Sequence, residues 1–546
     1  MQFDSNRVSL SLRDSYFTVN KNEDGNYILS SLEDRTSNKA LFAFEDTKDF
    51  TVSVSEECIS LKNGAKSLDI TFYDGFYAVL KGNFPLRLLY DDRCGYKAHT
   101  AVSEGGKIRI CDVKTNSFIW LKGVNGSLKL NSSWIENKIN SADVSVEAET
   151  ENGGFEIIVY KTKSIGTADI CCPSFEECCD IKRSDFKIWC DKMNAQSEIE
   201  KETAFVLWQN IVAPLGLYKQ EAILCNKTHM NAVWGWDNCF HALGVAKAFP
   251  KLAFYQLMLI FENADESGAL PDSVTPYKVE FGFTKPPVHS FIYEMLMERN
   301  PFFCEKEQIE KIYKPLCKNF KWWTSARLNA PVYWHGNESG ADNATCFDKF
   351  SSVKSPDLYA MLSYTAKMLS KFAEILDEKA ESEYYLKKYY ELGKNVETMF
   401  FDGESFFVLP TDDFTPFYSK SLLPLQCVVV SELLSNECKE KTFKLLKNEF
   451  IGDFGITSEA FTSEKHVDGQ WNSYWRGSVW GCQQVIFAQA AKKAGYLDIA
   501  KKIANGYKKS LEIGGSAENS NSLNGSGNCA KAFSWSAAAM FSLDKF

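Results

Sequence analysis

The chain has 546 residues, 45% of them hydrophobic and 24% charged, which is more than one ordinary core accommodates, so two large domains or three small ones are expected. A formal net charge of −10 argues against nucleic acid or an anionic membrane as partner, because either needs clustered Lys and Arg. No apolar run reaches the roughly 20 residues of a membrane span, and Met1-Gln2-Phe3-Asp4-Ser5-Asn6-Arg7 lacks the basic start and apolar stretch of a secretion signal, so a cytoplasmic location is expected.

The first stretch alternates apolar and polar residues with period two, as in Thr51-Val52-Ser53-Val54-Ser55, Lys107-Ile108-Arg109-Ile110 and Val144-Ser145-Val146-Glu147-Ala148. Turn dipeptides punctuate it at Asp24-Gly25, Asp74-Gly75, Asn125-Gly126 and Asn152-Gly153-Gly154. Many short strands between frequent turns predict an antiparallel β-sandwich over residues 1–185. The 17 cysteines are odd in number and irregular in spacing, which points to reduced thiols. Cys171-Cys172 and Cys178-Cys179 lack the separated C-x-x-C knuckles of a zinc site, so no metal is expected there.

From about Ser197 the period becomes 3.6. Leu358, Met361, Leu362, Met368, Leu369, Phe372 and Leu376 line one face of a helix with Ser355 as N-cap and Pro356 at its first position. Leu497, Ile503, Ala504, Tyr507 and Leu511 trace another stripe. Such segments recur at about 197–213, 236–248, 251–263, 286–298, 305–326, 355–376, 380–401, 420–431, 433–448, 475–493, 495–511 and 533–543. Twelve helices in consecutive hairpins predict an (α/α)6 toroid over residues 186–546. A solenoid is disfavoured because no pattern recurs at a fixed spacing of about 34–47 residues.

Several loops between these helices are long and crowded with Trp, Gly, Asn, Asp and Glu, where a connector needs only a few polar residues. They are Trp234-Gly235-Trp236-Asp237-Asn238-Cys239-Phe240-His241, the segment from Trp334 through Glu338 to Asp342-Asn343, Tyr474-Trp475-Arg476-Gly477-Ser478-Val479-Trp480, and Ala517-Glu518-Asn519-Ser520 leading to Phe533-Ser534-Trp535-Ser536. Hydrolysis of a glycosidic bond needs one carboxylic acid to protonate the leaving oxygen and a second carboxylate to activate water or attack the sugar. A toroid gathers such loops at one mouth. Aromatic walls there would raise a neighbouring carboxyl's pKa toward neutrality, as the acid requires.

The barrel half resembles the clan of (α/α)6 glycosidases that includes glycoside hydrolase family 63, the processing α-glucosidase I group and its bacterial relatives, and the family 37 trehalases. Glu338-Ser339-Gly340-Ala341-Asp342-Asn343 is similar to the clan's E-S-G-x-D-[NF] segment, whose Asp is the general acid. Glu518-Asn519-Ser520-Asn521, with later glycines and Phe533-Ser534-Trp535-Ser536, is similar to its E-x-Y-D…G…F-x-W-[ST] ending, whose Glu is the general base. Tyr474-Trp475-Arg476-Gly477 matches its Y-W-R-G substrate-site motif. Trp236-Asp237 with Phe240-His241, and Lys285-Pro286-Pro287, have counterparts in sugar-contacting loops. The resemblance covers roughly residues 200–546, and Ser520-Asn521 departs from the Y-D of the base segment.

The resemblance implies Asp342 as acid and Glu518 as base, with inversion at the anomeric carbon and release of β-sugar from an α-glycoside. Turn capping by Asp342, with Glu338 as acid, is the alternative for the first role. A solvated loop carboxylate, with Glu512 as substitute, is the alternative for the second. Asp237 is expected to accept from sugar hydroxyls or to cap its helix, and Lys285 and Glu338 to contact substrate. Arg476 is expected to shape the site, since no Gly-rich phosphate loop accompanies it. Trp236, Trp334, Trp475 and Trp535 are candidates for stacking on sugar or for core positions. His241 and His289 read as structural residues. With 6 His in all and no H-E-x-x-H, neither catalytic metal nor cofactor is expected.

The expected partner is a short α-glucoside or α-mannoside taken from its non-reducing end, with trehalose or a glycosylglycerate as the nearest alternatives. A polysaccharide lyase would need a basic groove for uronic acids, which the negative balance disfavours. A non-catalytic sugar-binding protein would keep the tryptophans without needing two opposed carboxylates. The β-sandwich is expected to complete the pocket rim.

Overall fold

A computed structural model describes residues 1–32, 38–90, 100–112, 116–134, 142–163, 170–467 and 473–546. The chain forms two compact units, Met1–Gln196 with Ala204–Ala232, and Ser197–Thr203 with Val233–Phe546. Among the described residues no helix is long and apolar enough to cross a membrane.

The first unit is built on antiparallel sheets of nine and six strands. Thr51–Ser55, Lys107–Asp112 and Ala142–Glu149 are strands where the sequence alternates. All four turn signals fall at strand connections, with Asp74, Asn152, Gly25, Gly126 and Gly153 at positive φ, where small or amide-bearing residues are tolerated. Gly126 has a second reason to be glycine, because a Cβ there would lie 2.2 Å from the Glu149 carbonyl oxygen. This unit also holds α1 (Phe175–Met193), a helix not anticipated from the sequence. The predicted boundary at residue 185 falls inside that helix. Its start is fixed by a capping box between Ser174 and Glu177. Phe175, Cys178 and Cys179 pack against Val79, Trp120 and Ile158 of the nine-stranded sheet. The paired cysteines serve here as small apolar packing residues.

The helices that follow are α2 (Glu198–Gln209), α3 (Asp237–Val245), α4 (Pro250–Glu262), α5 (His289–Arg299), α6 (Lys306–Ser325), α7 (Pro356–Ile375), α8 (Lys379–Phe400), α9 (Asn436–Leu445), α10 (Gly481–Lys493), α11 (Leu497–Gly514) and α12 (Ser534–Ser542). The expected helix at 420–431 is instead a 3₁₀ run, Leu423–Leu433, kinked at Val430, with Pro424 removing a backbone donor. The expected helix at 475–493 begins only at Gly481, because 475–480 belongs to a loop.

In the second unit six segments close a ring. α3 packs on α5, α5 on α7, α7 on the 3₁₀ run, the run on α10, α10 on α12, and α12 back on α3. Burial explains the order. α3 is buried throughout, α10 is buried except for its terminal lysines, and α7 buries both the predicted stripe and the opposite face. A helix apolar all round belongs inside, and one with a single stripe belongs outside. α6 and α11 have that single stripe, although Leu497 at the start of α11 is exposed. α4, α8 and α11 back α3, α7 and α10. Gly244 permits a close crossing of α3 on α12, where a Cβ would meet that of Ala538 at 2.6 Å. The ring of inner and outer helices is the predicted (α/α)6 arrangement, and it delivers the loops at 234–237, 334–343, 474–480 and 516–521 to one region.

Candidate active site

The loop at 334–343 is stiffened from within. Glu338 is buried and bound end-on by Arg327, with Nη1 2.5 Å from Oε2 and Nη2 2.8 Å from Oε1. The Trp334 N–H also donates to Glu338 Oε2 at 2.7 Å. Both oxygens of Glu338 are therefore engaged in bracing the loop. The guanidinium lies 4.1 Å from the Trp334 ring centroid and 4.8 Å from that of Trp322. Gly340, at φ +75°, lies so close to Trp236 that a Cβ would sit 2.6 Å from the indole.

Asp342 follows. Burial raises its carboxyl above the ordinary carboxylate range, Lys285 opposes that shift, and Asp272 adds to it. Lys285 is itself buried, 3.3 Å from Asp272 and 3.1 Å from the Asn337 carbonyl oxygen. The Lys285 ammonium thus tethers the loop at 334–343 to the segment carrying Asp272.

Asn343 joins the loop at 334–343 to the Y-W-R-G loop. Its side-chain oxygen accepts from the Trp475 N–H at 2.8 Å, and its carbonyl accepts from Arg476 Nε at 2.9 Å. Arg476 continues to Asp348, which also pairs with Lys465. These contacts tie Arg476 to the loop at 334–343 and to Asp348.

The segment carrying Glu518 is held by its backbone. Val479 and Ser520 exchange N–H···O bonds of 2.8 and 2.9 Å, and the Glu518 N–H donates to the Ala530 carbonyl at 2.7 Å. Trp535 Nε1 and Ser536 Oγ, at the start of α12, donate to the Glu518 and Ala517 carbonyls at 2.9 and 2.5 Å. In the departure from the family pattern, Asn521 closes a turn by accepting from the Leu523 and Asn524 N–H groups.

Glu518 is buried, and burial pushes its carboxyl up to about 7. The charge of Asp342 adds to the shift. The Tyr474 hydroxyl, donating to Oε1 at 2.8 Å, and the Ala530 N–H, donating to Oε2 at 3.3 Å, oppose it. Tyr474 feels both carboxylates, and burial with their charges pushes its phenol well above the ordinary range. Asp342 and Glu518, 176 positions apart in sequence, are thus within electrostatic reach of each other.

Beneath them lies an aromatic cluster. Trp475 stacks on Trp480 at 3.9 Å and 1°, and Trp236 meets Trp475 at 6.1 Å and Trp535 edge-on at 5.6 Å. Trp236, Trp475 and Trp535 are buried, while Trp334 is half exposed. Asp237 is buried at the first position of α3, after Trp236, which occupies the cap position. His241 is buried within α3. His289 is buried against Phe261, and loss of solvent lowers its pKa to about 4, so it is neutral at ordinary pH.

Tyr474, Asn343, Arg327, Asp272 and Glu459 were not singled out from the sequence. Tyr474 stood in the Y-W-R-G motif, and its position before Trp475 was the available signal. Arg327 and Asp272 lie outside any motif. Glu459 is wholly buried, accepting from Thr345 at 2.8 Å and Ser463 at 2.6 Å. It lines a cavity of about 630 Å³ beside the loop at 334–343, separate from the carboxylate pair.

Residues 230–536 match the family model for the mannosylglycerate hydrolase MGH1-like glycoside hydrolase domain. Among solved structures, the GH63 mannosylglycerate hydrolase from Thermus thermophilus in complex with glucose aligns at a TM-score of 0.54 and 20% identity, covering 63% of this chain and 99% of that one. The same enzyme in complex with Tris and D-glycerate aligns at 0.53 and 20% identity, with the same coverage. A bacterial glucoamylase complexed with acarbose aligns at 0.62 and 12% identity, covering 98% of this chain and 94% of that one. No curated protein matches. At these identities the structural likenesses speak for the fold, whereas the family match spans more than half of the chain. The chain therefore belongs to the mannosylglycerate hydrolase MGH1-like family of glycoside hydrolases.

Proposed function

We propose that this glycosidase is an inverting, exo-acting enzyme that cleaves short α-glucosides or α-mannosides, with Asp342 as general acid and Glu518 as general base. The observation that carries the proposal is the pairing of two buried carboxyls, both raised by burial, with the charge of Asp342 felt at Glu518. A base whose pKa is near neutral accepts a proton readily at neutral pH, and an acid must retain one. When Asp342 holds its proton it no longer raises Glu518, so the state with a protonated acid also favours an ionised base. In the proposed reaction Asp342 gives its proton to the glycosidic oxygen as the C–O bond breaks. Glu518 takes a proton from the water attacking the opposite ring face, which requires about 6.5–9.5 Å between the carboxyls.

The odd number and irregular spacing of the 17 cysteines support a reducing, cytoplasmic location. Glycosylglycerates are the second reading, favoured by the family match and by the D-glycerate complex of the Thermus enzyme.

Proton NMR of turnover on α-linked gluco- and manno-disaccharides tests the scheme. Early β-anomer that is absent with both Asp342→Asn and Glu518→Gln is the expected outcome. Early α-anomer would remove the water-activating role of Glu518. Sugar binding without turnover by the unaltered protein would favour a binding function.

A further inference from the structure

On the reading of Asp342 as general acid, the leaving group lies on the side of its carboxyl, so the side chains around the acid loop define what the aglycone meets. That side carries aromatic surface. Phe283 is 37% exposed, Phe281 46% and Trp334 53%, in a chain that otherwise buries most of its large rings. The Phe283 and His335 rings stack at 4.8 Å and 25°, and His335 lies within electrostatic reach of Asp342. Two tethers fix this pair beside the acid. Lys285, two residues after Phe283, donates to the Asn337 carbonyl at 3.1 Å, and Gly336 sits against the Asp342 carbonyl, where a Cβ would approach to 2.5 Å. His335 Nδ1 accepts from the Asn337 N–H at 3.1 Å, which leaves the ring proton on Nε2 as a hydrogen-bond donor.

Charge narrows the ligand class. Lys285, Arg327 and Lys278 are each matched with a carboxylate, namely Asp272, Glu338 and Glu280, while Arg476 shares Asp348 with Lys465. An anionic aglycone would have to compete for cations already paired with carboxylates. A flat ring with an apolar face and hydroxyl edges fits a stacked aromatic pair with a donor at its rim.

We infer that Phe283 and His335, flanked in sequence by Phe281 and Trp334, form an aglycone subsite that takes a neutral sugar ring in preference to a small carboxylate such as glycerate. The experiment compares three α-glycosides of one glycone: a disaccharide, a glycosylglycerate and a glycosyl fluoride, whose leaving group is too small to reach the ledge. The native enzyme should favour the disaccharide over the glycosylglycerate by about tenfold or more in kcat/KM. Phe283→Ala should raise KM for the disaccharide about tenfold, leave the fluoride within about twofold, and be rescued by Phe283→Trp. Preference for glycosylglycerate, or an equal loss on the fluoride, would overturn the subsite while leaving the acid in place. Asp342→Asn distinguishes the two failures: it should abolish disaccharide cleavage yet spare the fluoride. Unchanged disaccharide cleavage by that variant would remove the acid assignment, and the subsite with it.

Discussion

Glu518 is a side chain whose surroundings pull in opposite directions. Burial drives its carboxyl to about 7, while the Tyr474 hydroxyl stabilises the ionised form. Removing that donor should raise the pKa further, so Tyr474→Phe is expected to move the acidic limb of the kcat/KM profile to higher pH. An unchanged limb would mean that the hydroxyl does not act on the base. The same shift carries a stability cost. The unfolded carboxyl titrates near 4.5 and the folded one near 7, so the folded state holds the extra proton in that window and loses stability as pH rises through it. Glu518→Gln should therefore stabilise the protein more at pH 8 than at pH 5, by up to about 3 kcal/mol, as read from urea midpoints. Arg327 is expected to behave oppositely. Arg327→Met leaves buried Glu338 without its partner and should cost about 3–5 kcal/mol, with the acid loop losing its brace.

Loops decide the element scale. Gly340 combines a positive φ with contact against the Trp236 indole, so Gly340→Ala adds backbone strain and a clash. A loss of about 1–3 kcal/mol with a fall in kcat is expected from urea denaturation and turnover, and an unaltered kcat would show that Asp342 does not depend on this contact. The loop at 474–480 illustrates how tertiary pairing overrides a helical pattern. Val479 bridges both Thr457 and Ser520, and Gly477 is held at φ +136° against Val467. Helix formation thus waits until Gly481. In α1 the reverse applies. Its capping box was present in sequence as Ser174-x-x-Glu177, but it followed a strand-rich region and a cysteine cluster that carried no clear helical stripe.

At the scale of the whole molecule, the second unit is a ring whose closure also supports the Glu518 backbone. α12 packs on α3 and α10, and its first residues hold the backbone of Ala517 and Glu518. Deleting residues 533–546 is expected to abolish turnover and to broaden or remove the cooperative calorimetric transition of this unit. A truncated chain that kept both would show that the ring does not need its last helix.

The sequence by itself determined the two periodicities, and with them the β and α halves, because period-two and period-3.6 burial are local consequences of side-chain geometry. Turn dipeptides marked strand connections for the same local reason, through positive φ at Gly, Asn and Asp. Asp342, Glu518, Trp475 and Arg476 were legible because they stand in short contiguous motifs. Tertiary structure alone decided what each does to its neighbours. Only packing shows that Glu338 is consumed by Arg327, that Tyr474 reaches Glu518, and that Trp236, Trp475 and Trp535 spend much of their surface on one another. Most of those outcomes depend on desolvation and on contacts between segments far apart in the chain, where neither spacing nor residue type carries the information.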